Sequence, residues 1–187
     1  MNKKAIAAGH ICVDITPVFP KDSSSNIHEL LKPGKLIHVG EADVHTGGAV
    51  ANTGLAMKFL GADVSLMGKI GDDAFGRMVL NILKDHHAEN HMIVSPGLST
   101  SYSVVIAVPG VDRIFLHNPG ANDSFCSDDI PQDALEEAAL FHFGYPPIMR
   151  SMFVNDGEEL LKIMKRAKEA GTATSLDMAA IDPDSDA

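Results

Sequence analysis

Cysteine is scarce in this chain. Cys12 and Cys126 are far apart in sequence and form no CxxC pair, which argues against a disulfide-stapled secreted scaffold. Cys12 lies in an apolar strand pattern, so a reduced, cytoplasmic setting is expected. A basic surplus is also missing: 15 Lys and Arg face 25 Asp and Glu, a net charge of −10. No cationic stripe is left to neutralise the phosphates of a nucleic acid or an acidic membrane, although a few local cations could still serve a phosphorylated ligand. No run approaches the roughly 18 apolar residues of a membrane span. The opening Met1–His10 has charge but no apolar h-region, so no signal peptide is expected. The P-loop pattern GxxxxGK[ST] is absent. After the first strand, Gly9-His-Ile-Cys-Val does not supply the GxGxxG of a dinucleotide-binding oxidoreductase.

What is present suffices for one α/β domain: 187 residues with 45% hydrophobic content. The informative stretch is 45–76, His-Thr-Gly-Gly-Ala-Val-Ala-Asn-Thr-Gly-Leu-Ala-Met-Lys-Phe-Leu-Gly-Ala-Asp-Val-Ser-Leu-Met-Gly-Lys-Ile-Gly-Asp-Asp-Ala-Phe-Gly. Gly47-Gly48 opens a helix to about Leu60. A strand follows over Asp63–Met67, and Gly68–Gly76 turns into a second helix. Between Ala49 and Leu60 only Asn52, Thr53 and Lys58 are polar, so the first helix is expected to be buried. Free N–H groups at a helix start attract anions and hydroxyl oxygens, and glycine permits close approach. With Asn52 one turn in, the pattern suits a small polar ligand. Taken alone, Gly47-Gly48 also reads as an entry turn, with Asn52 as a satisfied core amide.

Elsewhere, Lys4–Val13 reads as one strand covered on both faces, and Asp14 follows at its C-terminal end, where open α/β sheets bind ligands. As a rival reading, Asp14 caps a turn. Strand character recurs over 35–45 and 101–117, the latter a hairpin around Val108–Arg113. Phe75, Met78, Val79, Ile82 and Leu83 repeat with helical period behind an Asp72 or Asp73 N-cap. His86, His87 and His91 match no metal-ligand spacing and read as solvated. Ser127–Ala139 reads as a short helix and Ala139–Gly144 as a buried strand. A helix opens with a capping-box-like Asp156-Gly-Glu-Glu159 and stops at Gly171, followed by a strand over Thr172–Asp177.

The run Gly-Gly-x-x-x-Asn, apolar helix, Leu-Gly-Ala, then Gly-x-Ile-Gly-x-Asp-x-Phe-Gly closely resembles the signature of the ribokinase-like (PfkB) carbohydrate kinase family. The likeness extends more loosely over nearly the whole chain. It implies a largely parallel, doubly wound sheet with helices on both faces and a small β lid from segments 35–45 and 101–117. Residues 1–187 would be the N-terminal part of that single domain. The implied activity is ATP-dependent phosphorylation of a sugar or nucleoside hydroxymethyl group.

By resemblance, Asp14 in Gly9-His-Ile-Cys-Val-Asp14 and Asn52 hold substrate hydroxyls, Gly47 and Gly48 give backbone approach, and Asn122 of Gly120-Ala-Asn lines the pocket. Some relatives carry a substrate-binding glutamate near Gly144, so their substrate is not carried over. Asp177–Asp184 resembles the family's Leu-Asp-x-Asn region. ATP and Mg2+ are implied for the complete enzyme, but the family places its metal-organising Asn-x-x-Glu segment and its Gly-Ala-Gly-Asp turn in the second half, and no Gly-Ala-Gly-Asp occurs here. The chain alone is therefore expected to be inactive, and a lid-to-lid homodimer is expected. A non-catalytic sugar-binding or dimerising module is the alternative.

Overall fold

The computed structural model describes residues 4–21, 23 and 26–179. Of the segments read above, 180–184 lie outside them. Two sheets organise the chain. The central sheet holds β1 (Lys4–Gly9), β4 (Val64–Gly71), β5 (Met92–Ser95), β8 (Ala138–Gly144) and β9 (Ala173–Asp177), in the order β5-β4-β1-β8-β9. Every pairing in it is parallel. The lid sheet runs β3-β2-β6-β7, from β2 (Cys12–Pro17), β3 (Ala42–Gly47), β6 (Tyr102–Ile106) and β7 (Ile114–Asn118).

The apolar run expected as one strand is two strands in two sheets. β1 ends at Gly9, whose φ of +120° suits glycine. His10 and Ile11 then carry the chain across to β2. Asp14 therefore lies inside a lid strand rather than beyond a central one.

The helices are α1 (Ile27–Leu30), α2 (Gly48–Phe59), α3 (Ala74–Asp85), α4 (Gln132–Glu137) and α5 (Arg150–Glu169). Of these, α2 to α5 cover the faces of the central sheet, whereas Leu30 of α1 packs with Phe19 and Val108. On one face α2 and α3 bury Val50, Val79 and Leu83 against Ala7, Leu66 and Ile70 of β1 and β4. On the other, Met152, Ile163 and Ala167 of α5 pack on Ile6, Phe141 and Phe143.

α2 is less buried than its composition suggests. Asn52 and Ala56 are exposed, as are Phe59 at 71% and Leu60 at 88%. α3 is capped by Asp73, which accepts from Gly76 N–H (2.7 Å) and from the N–H and Oγ1 of Thr100 (2.8 and 2.7 Å). Burial pushes this carboxyl up, but those hydrogen bonds outweigh it and hold it below its ordinary range.

α5 joins two helical stretches across a break at Val154–Gly157, and the helix read from the acidic turn onward is its second stretch. Asp156, with a φ of 56°, lies in the break itself. Among the described residues, no helix is long and apolar enough to cross a membrane.

Candidate functional site

The site grows from the crossing between the two sheets. His10 donates its N–H to the Gly144 carbonyl (3.1 Å), and its own carbonyl accepts the Val50 N–H (3.1 Å). One turn residue thus ties the ends of β1 and β8 to the first turn of α2. Gly144 itself must lack a side chain, since a methyl there would fall 2.0 Å from Ala49 Cβ.

The helix begins directly where β3 stops. Gly47 is the last residue of β3 and the N-cap of α2, and no side chain caps the helix. Gly48 follows with a φ of +84°. The β2–β3 ladder pairs Cys12 with Gly47 and Asp14 with His45. Asp14 is thereby brought onto the helix start: a methyl on Gly47 would lie 2.0 Å from Asp14 Oδ2. Asp14 Oδ1 accepts the Cys12 thiol (3.2 Å). Burial first, then the Asp14 charge, pushes that thiol well above its ordinary value, so Cys12 is a packed donor rather than a nucleophile.

Asp14, Gly47 and Gly48 therefore meet at one place. Asn52 stands one turn further along, about 6 Å up the helix axis from Gly48. It is exposed, so it is not a core amide. Asn122 is different. Fully buried, it accepts the Ile11 N–H on Oδ1 (3.3 Å) and donates from Nδ2 to the Ile11 carbonyl (2.9 Å). Its amide is occupied in holding the β1–β2 crossing, one step back from the open face.

Other residues on this face were invisible in the linear sequence. Asp14 pairs with Ser103 across β2–β6, and Ser103 with His117 across β6–β7. Residues directly paired on neighbouring strands share a face, so His45, Asp14, Ser103 and His117 form one polar row across the lid. His10 lies beside it, 2% exposed, with its ring 5.2 Å from that of His117 and 6.1 Å from Tyr145. Its Nε2 is 3.4 Å from Ser101 Oγ, and its buried Nδ1 has no partner among the described residues. Burial, helped by His117, pushes its pKa down to about 3, so it is neutral.

A parallel sheet with helices on both faces and a four-stranded lid over its strand ends is the ribokinase-like α/β architecture. The chain belongs to the pfkB family carbohydrate kinases, whose pattern it matches over residues 4–187. Fructokinase-1 of Zea mays is 33% identical over 134 residues, covering 70% of this chain and 41% of that protein. The fructokinase of Solanum tuberosum is 34% identical over 135 residues, covering 70% and 41%.

Among solved structures, a fructokinase with bound ATP from Xylella fastidiosa superposes with a TM-score of 0.75 at 20% identity, over 100% of this chain and 56% of its own. The Halothermothrix orenii fructokinase gives 0.72 at 20%, over 93% and 56%. These superpositions establish the fold. The chain spans 41% of the length of both curated relatives.

Proposed function

We propose that this chain forms the sugar-binding half of an ATP-dependent carbohydrate kinase that phosphorylates a hydroxymethyl group of its substrate. The observation that carries the reading is the Asp14 carboxylate lodged against Gly47 at an uncapped helix start. A carboxylate accepts hydrogen bonds from hydroxyls, and a helix start offers N–H donors to oxygen. Together they grip and orient a polyol, with Asn52 adding an amide from the next turn. Asn122 serves indirectly, by fixing the crossing on which Asp14 is mounted.

Orientation is most of what this half contributes, because phosphoryl transfer depends on positioning and on charge stabilisation at the moving group. ATP would supply the phosphoryl group and Mg2+ would neutralise its charge. Among the described residues no group of three His, Cys, Asp or Glu side chains could hold a metal ion.

Titration calorimetry with D-fructose tests the reading. Replacing Asp14 with alanine removes hydrogen bonds to a charged acceptor, each worth about 1.5–3 kcal/mol, and is expected to weaken binding by about 100-fold. Unchanged affinity would remove Asp14, and the sugar site with it.

A homodimer through the lid is part of the same proposal. Val44, Ile114 and Leu116 are exposed. The ladder registers set them on the lid face opposite Asp14, where a second lid would cover them. Sedimentation at micromolar concentration is expected to give twice the chain mass; a monomer there would eliminate the dimer. Two free thiols, Cys12 and Cys126, support a cytoplasmic setting.

A further inference from the structure

The polar row across the lid ends in a residue with an uncommitted donor. His117 Nδ1 is 3.0 Å from Ser103 Oγ. Ser103 is buried, whereas His117, one strand out, is exposed. When the Ser103 hydroxyl donates to Nδ1, the imidazole proton sits on Nε2. That nitrogen has no hydrogen-bond partner among the described residues. On the same face the Cys12 thiol donates to Asp14.

Distances bound what such a row can read. Asp14 and His117 lie two strand spacings apart, about 10 Å between their Cα atoms. Across that gap the Asp14 charge favours the protonated His117 ring, against the opposing effect of burial. The gap suits a hexose-sized polyol, with one hydroxyl donating to Asp14 and a more distant oxygen accepting from His117. Beyond the row, His117 also borders an open groove of about 250 Å³ with Pro119, Asp123, Ile148 and Arg150. A substrate reaching past Asp14 therefore has room on this side.

We infer that His117, oriented by Ser103, is a specificity-determining residue that donates from Nε2 to a substrate oxygen distant from the one held by Asp14. The row would then select polyols by the position of a second oxygen rather than by size alone. The inference rests on the sugar-binding reading of the helix start, and its test separates the two.

Calorimetry is run on the whole chain with D-fructose and its singly deoxygenated derivatives. The unmodified protein is expected to bind one derivative, beyond any lacking the hydroxyl held by Asp14, about tenfold more weakly than fructose. His117→Phe keeps a ring on an exposed strand but removes the donor. It should bind fructose about tenfold more weakly and no longer distinguish that derivative. Ser103→Ala should show the same loss of discrimination to a smaller degree.

If His117→Phe retains the full ranking of sugars, or weakens all of them equally, the inference is overturned. Should Asp14→Ala still weaken fructose binding about 100-fold in that case, the sugar site survives without His117. Absence of heat with every sugar overturns both.

Discussion

Gly48→Ala is expected to destabilise the protein by about 2–4 kcal/mol, through backbone strain and overlap together. A φ of +84° disfavours any side chain. The added methyl would also lie 2.4 Å from the His10 carbonyl oxygen and 2.6 Å from His10 Nδ1. That carbonyl cannot retreat freely, because it holds the Val50 N–H at the start of α2.

The neighbouring glycine provides the contrast. Gly47 has a φ of −118°, which any residue adopts, and its added methyl would meet the Asp14 carboxylate. Gly47→Ala should therefore lose sugar affinity with a much smaller change in stability. Urea unfolding of both variants checks this, and equal midpoints for Gly48→Ala and the unmodified protein would refute the strain argument.

Acid should weaken the fold well before its carboxylates titrate. His10 is neutral when folded, its pKa pushed down to about 3 by burial and by His117, whereas an unfolded histidine titrates near about 6.5. Below that value the unfolded chain takes up a proton that the folded chain refuses. The contribution is thus fully present above about pH 6.5 and declines as pH falls towards 3. Each unit in this window is worth about 1.4 kcal/mol, so moving from pH 7.5 to 4.5 should cost about 2–3 kcal/mol.

His142, buried and lowered chiefly by burial, acts in the same direction. Urea unfolding at the two pH values measures the loss. His10→Asn, which cannot protonate there, should flatten the dependence; an unchanged slope in that variant would clear His10 of the effect.

The parts of the site legible in sequence were the local ones. Gly47, Gly48 and Asn52 lie within six residues, where helix geometry converts spacing directly into position. Asp14 was found for its residue type and its place after an apolar run, although the run concealed a change of sheet. Gly9 was the available signal, because a lone glycine within a strand pattern often marks a break.

The helical face of α2 was misjudged because apolar composition predicts burial, yet Phe59 and Leu60 are exposed. Ser103 and His117 could not be read at all. Their proximity to Asp14 depends on ladder register between strands some 90 to 100 residues apart in the chain, and register is a property of the assembled sheet. The break at Val154–Gly157 could not be read for a related reason: three consecutive left-handed residues redirect the backbone there, and the acidic composition does not reveal them.

Gly47 closes a strand and opens a helix without an intervening loop. The jaw that bears Asp14 is therefore of one piece with the platform beneath it. Any displacement of β3 must displace the first turn of α2 with it. Admission and release of a guest must then depend on whatever faces this jaw from the opposite side.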